Sequence, residues 1–233
     1  MAERPILYST PMIRARLDGR KTVTRRLLKP QPEQSDIIAA WRWFGRTFCG
    51  GWSLNGTPPD SMLKDCPYQP GDKLWARETW ALVRPDITDD GCVEAWQDWE
   101  GALPEKHPGN GWVVLYAAMY GEESESVEYR GFRYRPSIHM PRWVSRLTDE
   151  VVSVRAERLH DITEEDARLE GMQRYQGPLR WVRWLDVLTG EPIHNSARDA
   201  FIAYFVTLPG GAEAWERNDW VWRVEMRPVE GTR

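Results

Sequence analysis

The sequence predicts a strand-rich α+β fold: a twisted, partly closed mixed sheet with short helices over its openings. Three observations carry this. Several segments alternate apolar and polar residues at strand period, Trp220 to Pro228 (WVWRVEMRP) most cleanly. The helical patterns are short and do not alternate regularly with the strands, which argues against a doubly wound parallel sheet. Fourteen tryptophans in 233 residues suit a small β-rich core that aromatics fill and cap. The same residues also admit a second reading, a platform on which bases stack.

Taken in order, Pro5 to Tyr8 reads as a short strand. Ser9 or Thr10 caps a helix with Pro11 in its first turn and Met12, Ile13 and Leu17 at helical spacing. Gly19 is placed to end that helix in the left-handed conformation. Thr22 to Leu28 reads as a strand closed by Pro30 and Pro32. The Pro70-Gly71-Asp72 turn precedes one strand over Lys73 to Val83. Residues 84–140 read as an insertion of acidic and Gly/Pro-rich loops around a strand over Gly111 to Met119. Glu150 to Arg158 is a long strand, and Thr163-Glu164-Glu165-Asp166 is a capping box opening a helix that ends near Gly171. Residues 173–194 form a second irregular, Trp-rich insertion. Asn195 or Ser196 then caps a helix whose Ala197, Phe201, Tyr204 and Phe205 make an apolar stripe. With no repeat and no low-complexity tail, the expectation is one domain over 1–233.

Composition bounds the function. A formal net charge of −4 excludes a generally basic nucleic-acid coat, so any polyanion site must be local. The basic stretches are residues 19–26 and the group Arg130, Arg133, Arg135, Arg142 and Arg146. Cys49, Cys66 and Cys92 are odd in number and form no C-x-x-C, so neither a zinc ribbon nor a disulfide framework is expected. The four histidines show no metal-ligand spacing, and no metal or other cofactor is expected. No apolar run reaches signal-peptide or membrane-spanning length, so a reduced, cytoplasmic protein without membrane contact is expected.

The stretch Gly19-Arg20-Lys21-Thr22-Val23-Thr24-Arg25-Arg26 packs four cations and two hydroxyls into eight residues. Such a run is often a solvated face. It also has the parts of a reactive pair: a threonine hydroxyl attacks only when a base takes its proton, and Lys21 becomes that base only if its pKa falls. Burial and neighbouring cations push it that way. A neutral lysine at pH 7 needs a shift of about three units, or ~4 kcal/mol. In an unbroken strand Lys21 and Thr24 point to opposite faces, so convergence needs a turn at Lys21 or Thr22. Without chemistry, Arg20, Thr22, Arg25 and Arg26 are suited to holding phosphate. Hydrolysis also needs a proton donor: Glu170 is the candidate, at a helix C-terminus where a carboxylate is disfavoured. Glu78 is the runner-up, its alternative being a salt bridge to Arg77 or Arg26. Trp75 or Trp80 supplies a stacking surface in a binding role.

These residues resemble the ASCH domains, a branch of the PUA-like β-barrels. Gly19 to Arg25 is similar to the family signature, Pro70 to Trp75 to its Gly-Asp turn and core strand, Asp161 to Met172 to its acidic helix, and Trp220 to Met226 to its closing strand. The matching pieces cover about half the chain, leaving about 33–65, 84–140 and 173–194 as extras, and the whole resembles the longer phage and prophage members. The resemblance implies a PUA-like barrel and a nucleoside, RNA or single-stranded nucleic-acid partner. It implies an amidohydrolase releasing the acyl group from acetylated cytidine, with Lys21 as base, Thr24 as nucleophile and Glu170 as the acid. Arg20, Thr22, Arg25, Arg26, Trp75 and Glu78 would hold the ligand. Other members are RNA binders or ribonucleases, and both readings stay open here.

Overall fold

The computed structural model describes residues 1–34, 40–43, 46–49, 63–120 and 131–229. Its strands are β1 Glu3–Leu7, β2 Val23–Leu27, β3 Glu33–Gln34, β4 Ala40–Trp43, β5 Arg46–Cys49, β6 Lys73–Arg77, β7 Trp80–Ile87, β8 Val93–Asp98, β9 Val113–Tyr116, β10 Thr148–Arg158, β11 Arg174–Gln176, β12 Val182–Trp184 and β13 Trp220–Pro228. Its α-helices are α1 Thr10–Leu17, α2 Ala117–Tyr120, α3 Glu164–Leu169, α4 Ala197–Phe205 and α5 Gly211–Glu216. The fold is mixed α+β and strand-rich, and the sheets are not closed into a barrel. No helix among the described residues is long and apolar enough to cross a membrane. The chain divides into two compact units. One holds Ala15–Asp72 and Glu150–Arg227; the other holds Ala2–Arg14 and Lys73–Asp149.

In the first unit, β2 runs antiparallel to β13, with Arg25 opposite Arg223 and Thr24 opposite Val224. Strand β10 neighbours β13 on its other side. Val23, Val221, Val224, Leu159 and Ala167 are sealed from solvent here, and Trp222 meets Trp43 edge to face at 5.7 Å. Helix α3 starts where the capping box predicts: Thr163 Oγ1 accepts from the Asp166 amide at 3.0 Å. Ser196 caps α4 in the same way at 2.9 Å, and the predicted stripe Ala197, Phe201, Tyr204 and Phe205 is buried. Two features differ from expectation. Residues 174–184 are not irregular but form an antiparallel hairpin, β11–β12. Helix α5 has no side-chain cap, which removed the usual start signal from the sequence.

In the second unit, β1 pairs parallel with β6, Pro5 opposite Trp75. The predicted single strand over 73–83 is two strands, broken at Glu78 and Thr79. The reason is burial. Strand β7 leaves for a separate antiparallel sheet in the order β8-β7-β9, and both faces of its first half, Trp80 to Val83, are covered. Trp80 and Leu82 pack with Met140 and Val144, while Ala81 and Val83 pack with Leu115 and Phe132. A strand covered on both sides carries no alternation to mark where it begins. The strand expected over Gly111 to Met119 shortens to β9 and continues as α2.

Candidate functional site

The basic octapeptide begins where α1 ends. Gly19 is left-handed at φ 72°, and the amides of Arg20 and Lys21 both donate to the Ala15 carbonyl at 2.9 and 3.0 Å. Lys21 is therefore held in a turn rather than in β2. It forms an isolated bridge with Glu170, and the Thr22 amide donates to the Leu169 carbonyl at 2.9 Å. Gly171 makes the approach possible. At φ 105° it has no Cβ, where one would lie 2.7 Å from Ala15 Cβ and 3.2 Å from Lys21 Cβ.

The turn carries the Lys21 ammonium to the C-terminal end of α3. Nζ donates to Glu170 Oε2 at 2.6 Å, to the Glu170 carbonyl at 3.1 Å and to the Val23 carbonyl at 2.9 Å. Both side chains are buried. Glu170 is thus neither solvated nor merely tolerated by its helix; it is the counter-charge of a buried cation. Desolvation lowers the Lys21 pKa. The Glu170 carboxylate opposes that shift, and the Arg26 and Arg25 guanidiniums reinforce it.

Arg25, expected to face phosphate, is turned inward and 6 % exposed. Its guanidinium reaches Glu157 Oε1 at 2.6 Å, Glu170 Oε1 at 3.2 Å and Asp166 Oδ2 at 3.2 Å. Burial lowers its pKa, but Glu170, Glu157 and Asp166 outweigh burial and raise it overall. Asp166 also takes Arg223 Nε at 2.9 Å. Burial raises the Asp166 pKa, and the Arg25 and Arg223 charges outweigh that and lower it. Three buried cations, Lys21, Arg25 and Arg223, thus meet three buried carboxylates, Glu157, Asp166 and Glu170, with half-exposed Arg155 added at the edge through Glu157. The sequence reading missed Glu157, Asp166 and Arg223 as members. The available signal was Arg223, a charge on a strand otherwise apolar from Trp220 to Val224.

Thr24 is buried on β2. Period-two alternation puts it on the face opposite Val23 and Arg25. Arg20 donates to the Gly171 carbonyl and pairs with Asp18 at 2.8 Å. Thr22 and Arg26 are half-buried, and the Thr22 carbonyl accepts from the Met226 amide at 2.8 Å.

Trp75 and Glu78 belong to the second unit. Trp75 is buried, with the Arg77 and Arg142 guanidiniums over its ring at 4.7 and 5.7 Å. Among the described residues Glu78 does not pair with Arg77; Arg146 holds it with two bonds of 2.9 Å. Trp80 is wholly buried. Of the other arginines, Arg142 pairs with Glu3 at 2.6 Å and Arg135 with Asp98 at 3.5 Å, while Arg130 lies outside the described residues. Cys66 is buried and Cys92 exposed, both free thiols, and burial pushes the Cys66 thiol up to about 11. Among the described residues no group of three or more His, Cys, Asp or Glu side chains is arranged to hold a metal ion.

Comparison with family models, with curated proteins and with solved structures finds no match for this chain.

Proposed function

We propose that this chain is an ASCH-type, PUA-like protein that handles nucleosides or nucleic acid, and that it hydrolyses the amide of an acylated cytosine derivative. The observation that carries the reading is the Lys21 Nζ to Glu170 Oε2 contact of 2.6 Å between two buried side chains. The alternative of a non-catalytic nucleic-acid binder, with Arg25 holding phosphate, fits less well, because Arg25 is consumed by three internal acids.

A lysine with three engaged protons has no lone pair to accept another. It becomes a base by first passing a proton to Glu170, and burial favours that neutral pair. Neutral Lys21 then takes the Thr24 hydroxyl proton as Oγ1 attacks the acyl carbon. The tetrahedral intermediate collapses with cleavage of the C–N bond. Glu170, now a carboxylic acid, gives its proton to the departing exocyclic amine. Water then attacks the threonine ester, losing its proton to the Glu170 carboxylate; the acid leaves and Thr24 Oγ1 recovers the proton held on Lys21. The step requires Thr24 to turn toward Lys21 when substrate binds.

The test is release of free cytidine from N4-acetylcytidine, followed by chromatography. Wild type is expected to turn over and Thr24→Ala to lose turnover with its melting temperature retained. Absence of turnover in the wild type, or unchanged turnover in Thr24→Ala, overturns the proposal.

A further inference from the structure

We infer that the β11–β12 hairpin is a binding surface for single-stranded nucleic acid, separate from the Lys21 pair. Between Gln173 and Leu185 the sequence holds three arginines, Arg174, Arg180 and Arg183, two tryptophans and a tyrosine, with no acid. In a chain of net charge −4, that is a local concentration of positive charge. All three arginines are exposed. Among the described residues, the side chains of Arg174 and Arg180 make no hydrogen bond or ion pair, and that of Arg183 makes only a 3.3 Å bond to the neighbouring Val182 carbonyl. The contrast with Arg25, Arg146 and Arg223, each spent on a carboxylate, is what singles them out.

The hairpin register sorts these side chains onto two faces. Tyr175 lies opposite Arg183, and Trp181 is two residues before Arg183, so these three share one face. The Tyr175 and Trp181 rings are 5.5 Å apart and tilted by 51°. Both residues are about 40 % exposed, at 39 % and 41 %. Trp181 is also pinned: its indole covers Gly177 so closely that a Cβ there would lie 2.1 Å from Cε2. A rigid, half-open aromatic pair flanked by unspent cations is suited to bases, which all present a π-face, and to the phosphates between them.

Arg174 lies opposite Trp184 on the other face. That face lines a groove of about 850 Å³ together with Arg20, Arg168 and Met172. Arg168 sits 5.4 Å over the Trp184 ring, so Trp184 is a wall rather than a stacking site. The strand is expected to stack on Tyr175 and Trp181 and to follow Arg183, Arg180 and Arg174 around the hairpin. An acidic peptide would use the cations but leave the aromatic pair without a role, which favours nucleic acid.

The inference does not rest on hydrolysis at Lys21, and its readout is binding alone. The probe is fluorescein-labelled oligouridylate of about 12 nucleotides, followed by anisotropy as salt is raised. Wild type is expected to bind at low salt, with a log–log slope that becomes shallower by about 0.7 for each arginine removed among Arg174→Gln, Arg180→Gln and Arg183→Gln. Trp181→Ala is expected to weaken binding about tenfold. Tyr175→Leu, which keeps an apolar side chain on the strand, serves as the second stacking variant if Trp181→Ala unfolds the hairpin. No binding by the wild type at low salt, binding by the arginine variants equal to wild type, or equal competition by polyglutamate each overturns the inference. Loss of acetylcytidine turnover leaves it standing, and loss of oligonucleotide binding leaves the hydrolase proposal standing.

Discussion

Replacing Lys21 by Met and Glu170 by Gln, singly and together, tests whether the two side chains act as one buried unit. The bare attraction of unit charges 2.6 Å apart is about 6 kcal/mol at an effective dielectric of about 20. Dehydration of both ions takes back several kcal/mol of that, so the pair itself adds little net stability, but removing one partner strands the other. Lys21→Met leaves Glu170 with Arg25 at 3.2 Å, so its cost falls at the low end, about 3 kcal/mol. Glu170→Gln leaves an enclosed ammonium with only neutral acceptors, at about 4 to 5 kcal/mol. In a chain of this size these costs lower the melting temperature by roughly 6 to 20 °C. The double variant has no stranded charge at this pair, so it is expected to cost less than the sum by about 3 kcal/mol. Urea unfolding with an unchanged m-value measures all three. Single costs that add to within about 0.5 kcal/mol would show that the contact is incidental and refute the reasoning.

Other perturbations probe the same frame. Gly171→Ala forces a Cβ to within 2.7 Å of Ala15 Cβ at φ 105° and is expected to cost about 2 kcal/mol or more, read as a shift in the urea midpoint. Thr163→Ala removes the α3 cap and is expected to cost about 1 kcal/mol; an unchanged midpoint would mean the helix is held by packing alone. The folded Asp166 pKa is lowered, so the unfolded chain binds more protons between the folded value and about 4. Its contribution is therefore complete above about pH 4 and lost as pH falls through the folded value. Asp166→Asn is expected to flatten that part of the acid limb in a pH series of melting temperatures.

The elements that were legible in the sequence are those with two independent local signals. Strand β13 has both alternation and a buried face, and α3 and α4 have caps that the structure uses. The break at Glu78 was not legible, because the first half of β7, Trp80 to Val83, is apolar on both faces and reads as continuous with β6. The β11–β12 hairpin was hidden by its shortness, three residues a strand, which leaves no period to measure. At the site, Lys21, Arg25 and Glu170 were legible as residues but not as a set. Glu157 and Asp166 lie more than 130 residues from Arg25 in the chain, and nothing local marks a carboxylate that will meet a guanidinium only after folding.

That gap changes how a basic motif is to be weighed. A run of arginines and lysine is attractive to phosphate only to the extent that its charge is unspent in the folded chain. Lys21 and Arg25 together meet Glu170, Glu157 and Asp166 inside the protein, so the densest cationic stretch of the sequence contributes little of its charge to a ligand. What the enclosure gives instead is control of protons. A lysine whose pKa is lowered by burial, 2.6 Å from a carboxylate, forms with it a pair between which a proton can pass. Arg25 reaches Glu170 at 3.2 Å, and its charge adds to the lowering of the Lys21 pKa. The attraction for polyanions then falls to arginines that no acid has claimed, and in the described chain Arg174 and Arg180 on the β11–β12 hairpin are such residues.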